Sequence, residues 1–158
     1  MAQQLTHVDD HGRVGMVDVG LKQESQRRAV VRSVVRLSQE TMKLLLKQAL
    51  PKGDVLVTAK LAGIMAAKKT SELIPLCHPI FLSYVDVRFK VKESENRIVV
   101  EAEARTTSPT GVEMEALVAA QTACMTIYDM CKAVQRDIVL EDCRLVYKSG
   151  GQSGTFKA

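Results

Sequence analysis

Tryptophan is absent from the 158 residues, and three tyrosines and three phenylalanines are the only aromatics. So thin a supply argues against a stacking surface for single-stranded RNA, and no RNP-like KGFGFV string is present. No GxxxxGK[ST] occurs, which removes a P-loop. Cys77, Cys124, Cys131 and Cys143 form no CxxC pair and lack zinc-ligand spacing. Their apolar surroundings suit buried thiols in a reducing compartment, and no metal site is expected of them. Long hydrophobic runs are missing too. The 13 uncharged residues from Ala116 to Tyr128 fall short of the roughly 20 that cross a bilayer. With no signal-peptide pattern at the N-terminus, the expectation is a soluble, cytoplasmic protein with no membrane partner. Neither repeats nor low-complexity tracts appear, apart from KSGGQSG at 148–154.

What is present suits one compact domain over 1–158, because 46% apolar residues supply a core at this length. The 22 basic and 18 acidic residues give +4, a mild excess that fits an anionic small molecule as well as weak nucleic-acid contact. The segment 110–134 is the most informative. TGVEMEAL opens it, YDMCKAV closes it, and only uncharged residues lie between Glu115 and Asp129. On a helix those two carboxylates stand roughly 21 Å apart near the same angular face, too far for one small substrate within one chain. An oligomer, in which one helix end approaches the opposite end of a neighbour's helix, resolves the conflict.

Along the chain, residues 1–26 read as an extended arm closing on MVDVG at 16–20. The β-branched run Val30, Val31, Val34 and Val35 predicts a strand over 27–37, although Arg28, Arg32 and Arg36 at four-residue spacing also suit a helix. Ser38 caps a helix over 39–48, Pro51 to Asp54 interrupt, and a second helix of small residues covers 55–72. Val85, Val87, Phe89 and Val91 alternate with charges, as do Ile98, Val100, Ala102 and Ala104 after a turn at 93–96, giving an antiparallel hairpin. A final strand over 138–148 follows the long helix, and 149–158 form a flexible tail. The order strand, helices, strand, strand, helix, strand is α+β, with a ferredoxin-like four-stranded antiparallel sheet and helices packed on one face. All four prolines fall at connections. One sheet face is left bare, a second reason to expect association.

Candidate chemistry collects in a few places. LIPLCHP at 73–79 presents Cys77 and His78 between two prolines that restrict the backbone. His78 reads either as a hydrogen-bonded core histidine or as a proton-transfer or substrate-binding group. Cys77 as a nucleophile lacks a visible base partner. Thr110 to Glu113 fits a capping box, which accounts for Glu113 structurally and leaves Glu115 as the better site candidate. Asp129 and Lys132 form a local ion pair or, in a low-dielectric pocket, a tuned acid–base pair. Lys52, just before a helix, could reach phosphate beside that helix's N-terminal amides. Lys148 with the terminal glycines resembles an anion cradle or a mobile end.

KGD at 52–54, LAGIMAAKKT at 61–70, LIPLCHP, TGVEMEAL, IYDMCKAV and KSGGQSG, in this order, resemble the MoaC family, the cyclic pyranopterin monophosphate synthases of molybdenum-cofactor biosynthesis. The likeness runs from LTHVD at 5–9 to the C-terminus. It implies a homohexamer, a trimer of dimers with interfacial active sites. It further implies conversion of (8S)-3′,8-cyclo-7,8-dihydro-GTP into cyclic pyranopterin monophosphate with release of pyrophosphate, without redox chemistry. Motif by motif, the resemblance implies Lys52, Lys132 and Asp129 as catalytic residues. Leu76, Cys77, His78, Met114 and Glu115 carry over as substrate contacts, with Glu113, Arg27, Lys68 and Lys148 in support. No cofactor is implied beyond magnesium accompanying the triphosphate. Gln152 stands where the family's tail often has lysine, and Ser25 where threonine is usual. The rival functions are a small-molecule sensor on the same fold, an RNA-binding sheet and a structural assembly subunit.

Overall fold

The alternating valines near the N-terminus do form a strand. In the computed structural model, which describes residues 12–158, β1 spans Ser25–Arg36. Arg28, Arg32 and Arg36 share one face because side chains repeat every two residues in a strand, so their spacing needs no helix. Three helices follow: α1 at Gln39–Leu46, α2 at Val55–Ala67 and α3 at Thr70–Leu73. Ser38 caps α1 by accepting from the Thr41 amide, and Asp54 caps α2 by accepting from that of Val57. The single helix expected over 55–72 is broken in two. Thr70 turns its hydroxyl back to the Ala67 carbonyl at 2.9 Å, which satisfies a helix-end acceptor and lets the chain restart.

The hairpin is β2, Tyr84–Lys92, and β3, Arg97–Ser108, joined by a 3₁₀ turn that ends at Asn96 with a left-handed φ of 53°. α4 covers Glu113–Cys131, β4 Val139–Ser149 and β5 Phe156–Lys157. The sheet order is β2-β3-β1-β4-β5, antiparallel throughout. The expectation of four strands is therefore corrected to five in the sheet formed by the described residues. Phe156 and Lys157 of the segment 149–158 pair with Lys148 and Tyr147 across a glycine-rich turn.

Register places Ala29 opposite Ala104, Val31 opposite Ala102 and Val35 opposite Ile98, all fully buried. α4 covers this face with Ala116, Ala119, Ala120, Ala123 and Ile127, none of which is exposed. Fully burying a side chain such as Ile98 or Ile127 stabilises by about 1.5–3 kcal/mol. α2 packs on α4 so closely that a methyl at Gly63 would stand 2.8 Å from the Ala119 carbonyl oxygen and 2.9 Å from the Val87 side chain. The run of small residues in α2 is explained by this contact.

Among the described residues the opposite sheet face carries no helix, and it bears an ionic lattice. Glu103, only 2% exposed, receives Arg28 at 2.7 Å, Arg88 at 3.0 Å and Arg105 at 2.6 Å. Arg28 also stacks on Tyr147 and Arg105 on Tyr84. Burial alone would raise the Glu103 carboxyl, but hydrogen bonds from the three guanidinium groups outweigh it and hold the group at about 2.

Candidate active site

α4 keeps the candidate residues in two groups, one at each of its ends. At its N-terminal end a cavity of about 300 Å³ is lined by Leu76, Cys77, His78, Glu113, Met114 and Glu115. Thr110 and Gly111 complete the floor, and Val17, Val19 and Lys22 close it from the N-terminal arm. At its C-terminal end, 14 residues and therefore about 21 Å further along the axis, Lys52, Asp129 and Lys132 meet. Lys52 Nζ lies 2.6 Å from Asp129 Oδ2 and donates also to the Asp129 carbonyl at 3.0 Å, while Lys132 Nζ lies 2.7 Å from Oδ1.

The cavity end is set by irregular backbone rather than by the expected capping box. The residue before α4 is Val112, no side chain caps the helix, and Thr110 stands too far upstream to bond its third turn residue. Glu113 is thereby left in the cavity wall, with Lys148 Nζ at 3.8 Å. Lys148 also donates to the Ser153 hydroxyl. Arg27 donates to the Pro109 carbonyl at 3.2 Å, which ties β1 to the loop leading into the cavity. Gly150 and Gly151, with φ of +94° and +76°, lie against Gln26 and the Arg27 guanidinium where a Cβ would overlap them. Lys68 ends α2, which runs antiparallel to α4, so it stands at this same end, exposed and outside the lining.

Electrostatically the two ends are opposites. Glu115 is 4% exposed, and burial, assisted by the neighbouring Glu113 charge, pushes its carboxyl up to about 7 despite a backbone hydrogen bond. Burial, then the Glu115 charge, raises the Cys77 thiol as well, which disfavours the thiolate that a nucleophile requires. His78 Nε2 lies 2.7 Å from the Val17 carbonyl oxygen. Asp129 is 52% exposed, yet hydrogen bonds from Lys132 and Lys52 hold it at about 2, and in return Asp129 raises the Lys132 ammonium.

Every residue singled out from the sequence thus falls at one end of α4 or the other. Three lining residues, Val17, Val19 and Lys22, escaped that reading; the alternation of valines in an otherwise polar arm was the available signal. The union of Lys52 with Asp129 also escaped it, because 77 residues separate them. Among the described residues no cluster of three His, Cys, Asp or Glu could hold a metal, and no helix is long and apolar enough to cross a membrane. LTHVD and the remainder of 1–11 lie outside the described residues.

Residues 16–151 match the profile of the MoaC family. The chain belongs to the MoaC family. Among similar members, the cyclic pyranopterin monophosphate synthase of Oleidesulfovibrio alaskensis is 68% identical over 158 residues, covering 100% of this chain and 99% of its own. That of Nitratidesulfovibrio vulgaris is 65% identical over 153 residues, with 97% and 95% covered. Human Molybdenum cofactor biosynthesis protein 1 is 52% identical over 155 residues, 98% of this MoaC chain but 24% of the human protein.

Proposed function

We propose that this chain is a cyclic pyranopterin monophosphate synthase, converting (8S)-3′,8-cyclo-7,8-dihydro-GTP to cyclic pyranopterin monophosphate and pyrophosphate. The observation that carries the reading is full-length similarity to synthases at 68% and 65% identity. The meeting of Lys52 and Lys132 on opposite oxygens of one carboxylate supports it chemically.

In this reading the two ends of α4 are half-sites completed by different subunits. Two copies packed with antiparallel α4 helices bring the cavity of one to the lysine pair of the other. Exposed apolar side chains support such pairing: Val57, Leu61 and Met65 form one stripe on α2, and Met125 lies on α4. The trimer of dimers belongs to the same proposal, as does the ferredoxin-like description, supported by the order β4-β1-β3-β2 of the four longer strands. A cytoplasmic location fits the chemistry.

The cavity holds the ring system between Leu76, Met114 and the polar groups of His78 and Glu115. Lys22 and the rim cations Lys68, Arg27 and Lys148 attract the triphosphate. Magnesium enters only as a counter-ion of that triphosphate. Asp129, ionised throughout the working range, does not itself start as an acid; it holds two ammonium groups from which protons reach the opening and reclosing ring. Those cations also stabilise charge developing on departing pyrophosphate.

The test is incubation of the purified protein with enzymatically prepared substrate, following both products, beside a Lys132→Ala control. Both products from the parent and neither from the control support the assignment. Tight binding with no product from the folded oligomer supports a sensor instead.

A further inference from the structure

His78 is held through one ring nitrogen by a group whose chemistry allows a single reading. A backbone carbonyl can only accept a hydrogen bond, so the 2.7 Å contact between His78 Nε2 and the Val17 carbonyl requires a proton on Nε2. A neutral imidazole with its proton on Nε2 has a bare lone pair on Nδ1, since the hydrogen bond made by one nitrogen sets the state of the other. Among the described residues no hydrogen bond to Nδ1 accompanies this contact, and His78 lines the cavity.

We propose that the Val17 carbonyl is a positioning group that fixes a proton of His78 on Nε2, so that Nδ1 faces substrate as a hydrogen-bond or proton acceptor. The inference rests on the synthase reading for the identity of the substrate, but its geometry does not. It assigns the segment around Val17 a task beyond covering the cavity. Pro75 and Pro79 restrict the loop that carries His78, leaving ring orientation as the freedom that the arm removes. The proton moves in balance: Nδ1 accepts one from substrate to give an imidazolium, with Nε2–H still donating to Val17, and returns it from Nδ1 in a later step.

Two measurements test this. In protein labelled with ¹⁵N at histidine, two-bond proton–nitrogen correlation spectra identify the tautomer of each ring, and a His78→Gln spectrum assigns the signals. The expected result is a neutral His78 almost wholly in the Nε2–H form; an Nδ1–H form, or the averaged mixture of a free imidazole, overturns the proposal. The acceptor is then weakened directly. A semisynthetic chain with the α-hydroxy analogue of Asp18 turns the Val17 carbonyl from an amide into an ester, a poorer acceptor. That chain should show a mixed tautomer and about tenfold slower turnover, part of the roughly hundredfold or more that a positioned proton-transfer group contributes. Val17→Ala keeps the carbonyl and should keep the tautomer. An unchanged tautomer in the ester removes Val17 from the role. A locked tautomer in a protein that makes no product would sustain the geometry and defeat the synthase reading, so the two failures are distinguishable.

Discussion

The two ends of α4 carry carboxylates of the same helix with opposite properties. Glu115 is enclosed and pushed up to about 7, whereas Asp129 is half exposed and held at about 2. Burial governs the first and cationic partners govern the second, so one helix presents a carboxyl that releases its proton near neutrality and another that stays ionised. Chemistry that moves several protons needs both kinds, but about 21 Å of helix separates them. The contrast makes sense when each end is half of a site.

The largest effects should come from breaking either half. Lys132→Ala at one end and Glu115→Gln at the other are each expected to lower turnover by about a hundredfold or more. Co-expressing the two inactive variants sharpens the comparison. Mixed pairs keep one intact composite site, so roughly a quarter of parental turnover should return in a random mixture. No recovery, with mixed oligomers shown by differently tagged subunits, would mean that both ends serve the same chain.

The next effect concerns stability and belongs to the cavity end alone. With Glu115 raised from the usual 4.5 to about 7, the folded state holds more protons than the unfolded state between those values. Stability from this group is fully present below about 4.5 and is lost as pH rises through about 7. The difference amounts to about 3 kcal/mol. Urea unfolding at pH 5 and pH 8 should therefore show a smaller pH dependence in Glu115→Gln than in the parent. Equal dependence in both proteins would remove Glu115 as its source.

A smaller change tests the packing that joins the two ends. Gly63 leaves no room for a side chain between α2 and α4, so Gly63→Val should lower stability by about 1–3 kcal/mol. Because α2 begins just after Lys52, the substitution should also weaken the Lys52 contact with Asp129 and reduce turnover while Glu115 keeps its raised carboxyl. Unfolding curves and the pH profile of the variant separate these effects.

How much of this was legible in the sequence depended on the range of the interaction. Alternation of Val85 to Val91 and of Ile98 to Ala104 predicted β2 and β3, because period two is local. The break at Thr70 was missed, since a hydroxyl competing for a helix carbonyl leaves no mark in apolar periodicity. β5 was missed because two residues are too few to show a pattern, and a capping box was read at Thr110 where the structure starts α4 three residues later. At the site, spacing along one helix already separated Glu115 from Asp129. Partners distant in sequence stayed invisible: Lys52 with Asp129, Val17 with His78, and Glu103 with Arg28.

The smallest expected effect is the stability change at the exposed end, and it completes the comparison. Asp129→Asn removes the charge that holds Lys52 and Lys132, whose side chains are 44% and 53% exposed. Ion pairs so open to water are screened and contribute little to folding. Any contribution from the lowered Asp129 carboxyl is present above about 3.8 and fades as pH falls toward 2, so none of it varies near neutrality. Thermal unfolding of the variant should match the parent at pH 7, whereas turnover should collapse, because Lys132 loses the partner that raises its ammonium. A large drop in melting temperature would show that the lysine–aspartate cluster braces the fold. An unchanged melting temperature with lost turnover would assign that end to chemistry, and the contrast with Glu115, whose burial affects both, would stand.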